Sequence, residues 1–139
     1  MKGLFVCALF AVALFAQSAP ASGDDKMPGS KKPAIVLAAF GTSTPAAVDS
    51  ILNIKRRVEA AFPGYDVHLG FTSTIIRKIW HGRAGDAEFR KENPDIPEEL
   101  YSVTNVFSAL AAVQEEGFRP VLVQSLHVTD GEEYHDLKR

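Results

Sequence analysis

Residues 34–45 read AIVLAAFGTSTP, an unbroken apolar run followed by a short polar turn and a proline. An apolar run of this length, without alternating polar residues, is typical of a strand buried on both faces of a parallel sheet. Gly41 interrupts the run. Thr44 followed by Pro45 predicts a helix start, because proline at the first helical position loses no hydrogen bond. The stretch therefore predicts a strand, a tight turn and a helix, with the turn at the carboxyl end of the strand.

The rest of the chain continues this alternation of strands and helices. Apolar residues at helical spacing end at Phe62, and a later helix with a cap at Ser102 or Thr104 ends at Gly117. Strands are predicted at 65–72 and 121–126, a short helix from Ser73 or Thr74 to Trp80, a long charged loop at 81–99, and a last helix at 132–139. This order predicts an α/β fold beginning at Pro33, a parallel sheet with flanking helices and right-handed crossovers.

Size and composition limit what the chain can be. Its 139 residues suit one domain, and the 46% hydrophobic residues are enough for a core. A net charge of −2 without a basic cluster argues against a nucleic-acid partner, because phosphate binding needs clustered lysines and arginines. Three strands and a short last helix make a poor closed domain. We therefore expect residues 33–139 to be truncated or to need a partner that completes the sheet.

The first 32 residues have a different character from the domain. Lys2 supplies a positive end, residues 3–16 are almost entirely apolar, and small residues follow up to Ala21. This layout is typical of a secretory signal peptide, and the run is short for a retained membrane anchor. We expect residues 1–21 to be a signal peptide and 22–32 a flexible linker. The protein would then be periplasmic, without membrane association after cleavage and without Cys7, its only cysteine.

Candidate site residues lie where the strands of the predicted sheet end. Ligands of open α/β sheets collect beyond the carboxyl ends of the strands, where residues 41–44, 72–74 and 127–133 are expected to meet. His127 follows the third strand, and an imidazole can bind divalent ions such as cobalt and accept a proton near neutral pH. Nearby carboxylates would orient the ring or share a metal: Asp130, Glu132 and Glu133. From the residues alone, a functional and a structural His127 are equally good interpretations.

The other histidines carry weaker signals. His68 alternates with Val67 and Leu69 inside the second strand, which favours a packed, hydrogen-bonded ring. Axial ligation of a haem by His68 is the second interpretation. The sequence contains no HxxH, HExxH or CxxC spacing, so a self-contained zinc site is not indicated.

Three segments together resemble a known family. They are IVLAAFGTS at 35–43, FTS with IIRK at 71–78, and VQSLHV at 123–128 followed by GEEY at 131–134. In this order they resemble the anaerobic-type sirohydrochlorin cobaltochelatases, class II tetrapyrrole chelatases. The resemblance runs from about Pro33 to the end of the chain.

The resemblance implies a fold, an activity and residue roles. The family fold is two similar α/β halves facing each other across a cleft, and this chain resembles the N-terminal half. The implied reaction inserts cobalt, or alternatively iron, into the tetrapyrrole sirohydrochlorin without ATP. By this resemblance His127 would ligate the metal and take up pyrrole protons. The macrocycle floor would be formed by Phe40, Gly41, Thr42 and Ser43.

The resemblance also suggests how the chain would work without the second half of the family fold, which supplies a glutamate and a second histidine. Related half-length chelatases pair as homodimers, so we expect a homo-oligomer in which two copies of His127 face one cleft. Two other hypotheses stay open. One is an exported tetrapyrrole or metal carrier without turnover, with haem a candidate ligand. The other is an inactive fragment.

Overall fold

The computed structural model describes residues 31–128 and 131–139. The predicted signal peptide lies outside these residues, as do residues 22–30 of the linker. The described elements are strands β1 (Ala34–Ala39), β2 (Asp66–Phe71) and β3 (Val121–Ser125), and helices α1 (Pro45–Ala61), α2 (Thr74–Arg83), α3 (Ala87–Glu92), α4 (Glu98–Tyr101), α5 (Val106–Glu115) and α6 (Glu132–Leu137). Within the described ranges, no helix is long and apolar enough to cross a bilayer.

The sheet is parallel, with the strand order β2-β1-β3. Ala38 of the central strand lies opposite Gly70 of β2 and Ser125 of β3. All six residues of β1 are buried, as its continuous apolar sequence predicts. The predicted α/β class and parallel sheet are therefore confirmed, and the carboxyl ends of all three strands lie along one edge.

Helices cover both faces of this sheet. On one face Ile35, Leu37 and Ala39 pack with α1, α2 and α4 around the fully buried Trp80. On the other face Ala34, Val36 and Ala38 pack mainly with α5. The apolar face predicted for the second strand is confirmed, since these residues belong to the first cluster: Val67, Leu69 and Phe71.

The helix starts agree in part with the prediction. Ser73 caps α2, with its Oγ accepting from the main-chain N–H of Ile76 at 3.5 Å. Helix α5 is capped by Asn105, whose Oδ1 accepts from the Ser108 N–H at 2.8 Å, so the predicted cap at Ser102 or Thr104 is wrong. The reason is tertiary. The carbonyl of Thr104 accepts from Phe71 N at 3.0 Å, so Thr104 pairs with β2. The helix therefore begins only after this residue.

The prediction of a long loop at 81–99 is wrong. Helix α2 continues to Arg83, and two short helices, α3 and α4, follow. Asp86 caps α3 by accepting from the Phe89 N–H at 2.9 Å. The Phe89 ring then packs edge-on against Trp80, 6.1 Å between centroids, and the Arg83 guanidinium lies 4.3 Å from the Phe89 ring centroid. These contacts with the core order a segment whose glycines and prolines are typical of a loop.

Candidate functional site

The carboxyl edge of the sheet brings three predicted segments together. The β1–α1 turn, the β2–α2 turn and the residues after β3 meet there. Thr72 N donates to the Ala39 carbonyl at 2.8 Å, and Leu126 N donates to the Ala38 carbonyl at 2.8 Å. Both turns are thus pinned to the end of β1, and residue 127 lies beside residue 72.

His127 is half-buried at this edge, and a hydroxyl lies within hydrogen-bond distance of each ring nitrogen. Its Nε2 atom lies 3.0 Å from Thr72 Oγ1, and its Nδ1 atom lies 2.9 Å from Ser125 Oγ. The main-chain N–H of His127 also donates to Ser125 Oγ, at 3.2 Å. The Tyr134 ring is 6.1 Å from the imidazole, centroid to centroid. The ring is therefore held in one orientation by neutral partners.

Arg77 of α2 fixes the turn that presents Thr72. Its Nη1 atom donates to the carbonyl of Phe71 at 2.5 Å and to that of Thr72 at 2.8 Å. Its Nη2 atom donates to Thr74 Oγ1 at 3.0 Å. Three hydrogen bonds from one rigid guanidinium lock the backbone on both sides of Thr72.

The turn after β1 is fixed by close packing. Gly41 has φ +94°, and a Cβ at this position would lie 2.7 Å from the Phe71 ring. The Thr42 carbonyl accepts from Trp80 Nε1 at 2.8 Å, and the Ser43 carbonyl accepts from Arg83 Nη1 at 2.6 Å.

Phe40 precedes this turn and is 45% exposed. Its carbonyl accepts from Ser73 N at 3.3 Å, which ties it to the turn that carries Thr72. Two predicted groups, residues 40–43 and His127, therefore lie along the same edge of the sheet.

His68 lies elsewhere, inside β2 and three residues before the strand ends. Its Nε2 atom is shielded from solvent and makes no hydrogen bond of acceptable geometry, although Asp66 Oδ2 is 3.3 Å away. The Phe118 ring lies edge-on, 5.8 Å between centroids. The structure thus places His68 apart from the His127 site, and haem ligation by His68 stays a prediction.

The structure describes few other metal ligands near His127. Among the described residues, no group of three or more His, Cys, Asp or Glu side chains is arranged to hold an ion. Glu132 is exposed, whereas Asp130 and the side chain of Glu133 lie outside the described residues. From the part that is described, His127 offers one metal ligand.

A cavity of about 420 Å³ adjoins the site on the side of α5 and α6. Thr72 and Arg77 form one wall, and Phe107, itself 60% exposed, forms another. Asn105 and Asp136 supply polar groups. The hydroxyl that contacts His127 is thus carried by a residue that also lines an open cavity.

Sequence reasoning did not identify the residues that hold the site. Ser125 is a polar residue at the last position of a strand, two residues before His127, and this position is its only local signal. Arg77 lies one helical turn after the Ser73 cap, and its bonds run back to the preceding turn. Both roles are local, since the hydrogen bonds join residues two to six positions apart, but a lone serine or arginine at such a position carries no distinctive sequence signal.

A scan of family models places the chain. The model described as cobalt chelatase (CbiK) matches residues 33–139. The chain belongs to the cobalt chelatase (CbiK) family. The match begins at Pro33, one residue before β1, so it includes the whole sheet and the His127 site.

Two curated members of this family are similar to the chain. It is 34% identical over 111 residues to sirohydrochlorin cobaltochelatase CbiKC of Nitratidesulfovibrio vulgaris, covering 80% of this chain and 33% of that protein. It is 30% identical over 110 residues to the sirohydrochlorin cobaltochelatase of Salmonella typhimurium, covering 78% of this chain and 36% of that protein. The chain thus spans about a third of the length of the curated relatives it matches.

Proposed function

We infer that this chain takes part in inserting cobalt into sirohydrochlorin, as a tetrapyrrole chelatase with His127 at its metal site. Membership of the cobalt chelatase family and the names of both relatives support this activity. The observation that carries the role of His127 is its setting. Its imidazole lies at the carboxyl edge of a parallel sheet, where ligands of α/β proteins bind, and its partners are two neutral hydroxyls.

The chemistry of insertion suits a loosely held imidazole. Two pyrrole N–H protons must leave the ring as the divalent ion enters, so charge is conserved. A neutral imidazole binds cobalt and, once released from the metal, accepts one proton, while the second proton passes to water. When a metal ion displaces Thr72 or Ser125 from a ring nitrogen of His127, a hydrogen bond is lost but no ion pair is broken. His127 would therefore bind the ion and also let it go.

Phe40 would form the floor for the macrocycle. Its side chain is 45% exposed, and an aromatic ring offers a flat apolar surface for stacking against a tetrapyrrole. The carbonyls of Thr42 and Ser43 are occupied by Trp80 and Arg83, so the floor is rigid and its polar groups are already bonded. A rigid floor allows binding energy to distort the macrocycle rather than the protein.

Two finer features belong to the same proposal. Insertion without ATP is proposed because the resemblance to the anaerobic-type cobaltochelatases implies it. Iron is the second metal proposed, because imidazole nitrogen binds ferrous iron as well as cobalt. Cobalt is placed first because the family and its relatives are named for it.

Further metal ligands are proposed to come from a second copy of the chain. One support is that the described site offers a single imidazole. Another is that β3 is an edge strand of the sheet, and its Leu122 and Val123 are 49% and 44% exposed. In a homodimer two copies of His127 would face one cleft. Sedimentation should then report the mass of two chains, and insertion rate per chain should fall on dilution below the dimer dissociation constant. A monomer with an undiminished rate would contradict this part of the proposal.

The decisive experiment measures metal insertion by absorbance. Purified protein is mixed with sirohydrochlorin and Co²⁺, in parallel with His127→Ala, His127→Gln and the control His81→Gln. His81 lies on α2, and its Nε2 contacts the Val103 carbonyl at 2.8 Å. We expect both His127 variants to lose about 100-fold or more in rate, the range for a group that moves a proton, while the control keeps its rate. Insertion at the normal rate by a folded His127→Ala would refute the role of His127.

The second candidate function is a tetrapyrrole or metal carrier without turnover. One observation favours it: the buried Nε2 atom of His68 makes no hydrogen bond, although the Asp66 carboxylate lies 3.3 Å away, and a ligand that reached it would satisfy this nitrogen. This hypothesis predicts haem or sirohydrochlorin absorbance bands that change in His68→Gln or His127→Gln, together with no insertion. Unchanged absorbance on titration with either macrocycle would eliminate the carrier.

A further inference from the structure

We propose that the hydroxyls of Thr72 and Ser125 form a latch that holds metal-free His127 as its Nε2–H tautomer. In this arrangement Thr72 is the positioning residue that covers Nε2, the nitrogen that would bind metal from the side of the cavity that Thr72 lines. The tautomer follows from the hydrogen-bond geometry of the metal-free site. The consequence for metal rests on the proposed function.

The first half of the latch is set by Ser125. A hydroxyl has one proton to donate, and Ser125 Oγ already accepts from the main-chain N–H of His127 at 3.2 Å. Its own proton then points to the other near group, Nδ1 of the ring, at 2.9 Å. Nδ1 therefore accepts, and in a neutral imidazole the proton lies on Nε2.

The second half of the latch agrees with this assignment. Thr72 Oγ1 lies 3.0 Å from Nε2 and donates to the Ala39 carbonyl at 3.5 Å. Because Nε2 carries the ring proton, Oγ1 accepts from it, and the single proton of Thr72 is left to point to the Ala39 carbonyl, which can only accept. In the resulting series of hydrogen bonds each hydroxyl donates its proton to one acceptor. In the opposite tautomer Thr72 would donate to Nε2, and the Ser125 proton would lose its only acceptor among the described contacts.

The backbone that carries the latch is rigid, because hydrogen bonds hold Thr72 on both sides. Arg77 holds the carbonyls of Phe71 and Thr72, and Thr72 N is bonded to the Ala39 carbonyl at 2.8 Å. Release therefore requires rotation of the Thr72 side chain alone, with transfer of the ring proton from Nε2 to Nδ1. Ser125 must then reverse its hydroxyl and accept.

This arrangement predicts that Thr72 opposes metal binding at Nε2. Replacing its hydroxyl by a methyl group in Thr72→Val leaves Nε2–H without an acceptor and favours the Nδ1–H tautomer, in which the Nε2 lone pair no longer carries a proton. We expect Co²⁺ to bind Thr72→Val about 3- to 10-fold more tightly, the factor one hydrogen bond typically controls. Thr72→Ser keeps the hydroxyl and is the matched control, with unchanged affinity.

The test combines nitrogen NMR of the imidazole at one fixed pH with titration of Co²⁺ alone. In the unsubstituted protein we expect the Nε2–H tautomer at His127, a result that requires no variant to fold. Thr72→Val should show Nδ1–H and tighter Co²⁺ binding, and Ser125→Ala should show a mixture of tautomers. An Nδ1–H ring in the unsubstituted protein, or Thr72→Val with the same tautomer and affinity, would overturn the latch. Normal insertion by His127→Ala with the tautomers as expected would instead overturn only the metal role of His127.

Discussion

Gly41 joins the central strand to the turn that carries the proposed macrocycle floor. Its φ of +94° lies in the region that side chains disfavour, and an added Cβ would lie 2.7 Å from the Phe71 ring. We expect Gly41→Ala to lower the free energy of unfolding by about 1–3 kcal/mol, since strain and overlap add. Denaturant unfolding at constant pH measures the change.

Gly64 provides the matched control for this substitution. It lies in the turn between α1 and β2, and a Cβ there would meet nothing within 4 Å. Gly64→Ala should leave the free energy of unfolding within about 0.5 kcal/mol of the unsubstituted value. Equal effects of the two substitutions would show that the Gly41 turn is not constrained as described.

At the residue scale, the sequence identifies the candidate groups and leaves their partners undetermined. The position of His127 at the end of a buried strand predicts its place at the carboxyl edge, because parallel strands end together. The hydroxyl facing its Nε2 belongs to Thr72, 55 residues away. Only the pairing of both flanking strands with β1 brings these two residues within hydrogen-bond distance.

Helices α1 and α4 are joined by Lys55. Its Nζ lies 2.8 Å from Glu59 Oε1, one turn along α1, and 3.3 Å from Glu99 Oε1 of α4. Burial lowers the pKa of Lys55, but hydrogen bonds and charge from Glu59 and Glu99 outweigh it, so the pKa is raised above 10.5. A raised lysine pKa stabilises the folded state in full below the unfolded-state value, and the contribution is lost as pH rises through the folded-state value.

The test compares Lys55→Met with the unsubstituted protein at two pH values. Near pH 8 the variant should be less stable by up to about 1 kcal/mol, because the pair is partly solvated. At a pH above the folded-state pKa of Lys55 the difference should shrink, because the lysine of the unsubstituted protein has then lost its proton. Lys78→Met, at an exposed position of α2, is the control and should show neither effect. A stability gap that is the same at both pH values would contradict the role assigned to the ion pairs.

At the element scale, long periodic helices are easier to predict from sequence than short ones. The long periodic helix α1 and the Ser73 cap follow from local pattern, since capping and apolar spacing act within a few residues. Helices α3 and α4 are too short to be stable alone. Phe89 packs against the core around Trp80, and Leu100 is buried within it. This burial explains why helices occupy a segment with loop-like composition.

For the whole molecule, the predicted leader would determine where the protein acts. We propose export to the periplasm, on the support of the positive end at Lys2, the apolar run at 3–16 and the small residues before Ser22. Expression of the full chain in a bacterium should yield a periplasmic protein whose first residue is Ser22. Replacing Leu9 and Leu14 by Arg should retain the full chain in the cytoplasm, because a charged run does not enter the export channel. A cytoplasmic protein that begins at Met1 in the unsubstituted case would refute export.

The sequence by itself determined the α/β class, the parallel order of strands and helices, and the segments that resemble the chelatase family. The fold class and the element order depend on patterns that repeat every two to four residues, and such patterns survive in any context that buries the apolar positions. The resemblance depends instead on the identity and order of the residues in three segments. Only the tertiary structure decided that Thr72 faces His127, that His68 lies apart from it, and that residues 81–99 fold onto Trp80. Those outcomes depend on strand register and on contacts between residues far apart in the chain, where a shift of one residue changes every partner.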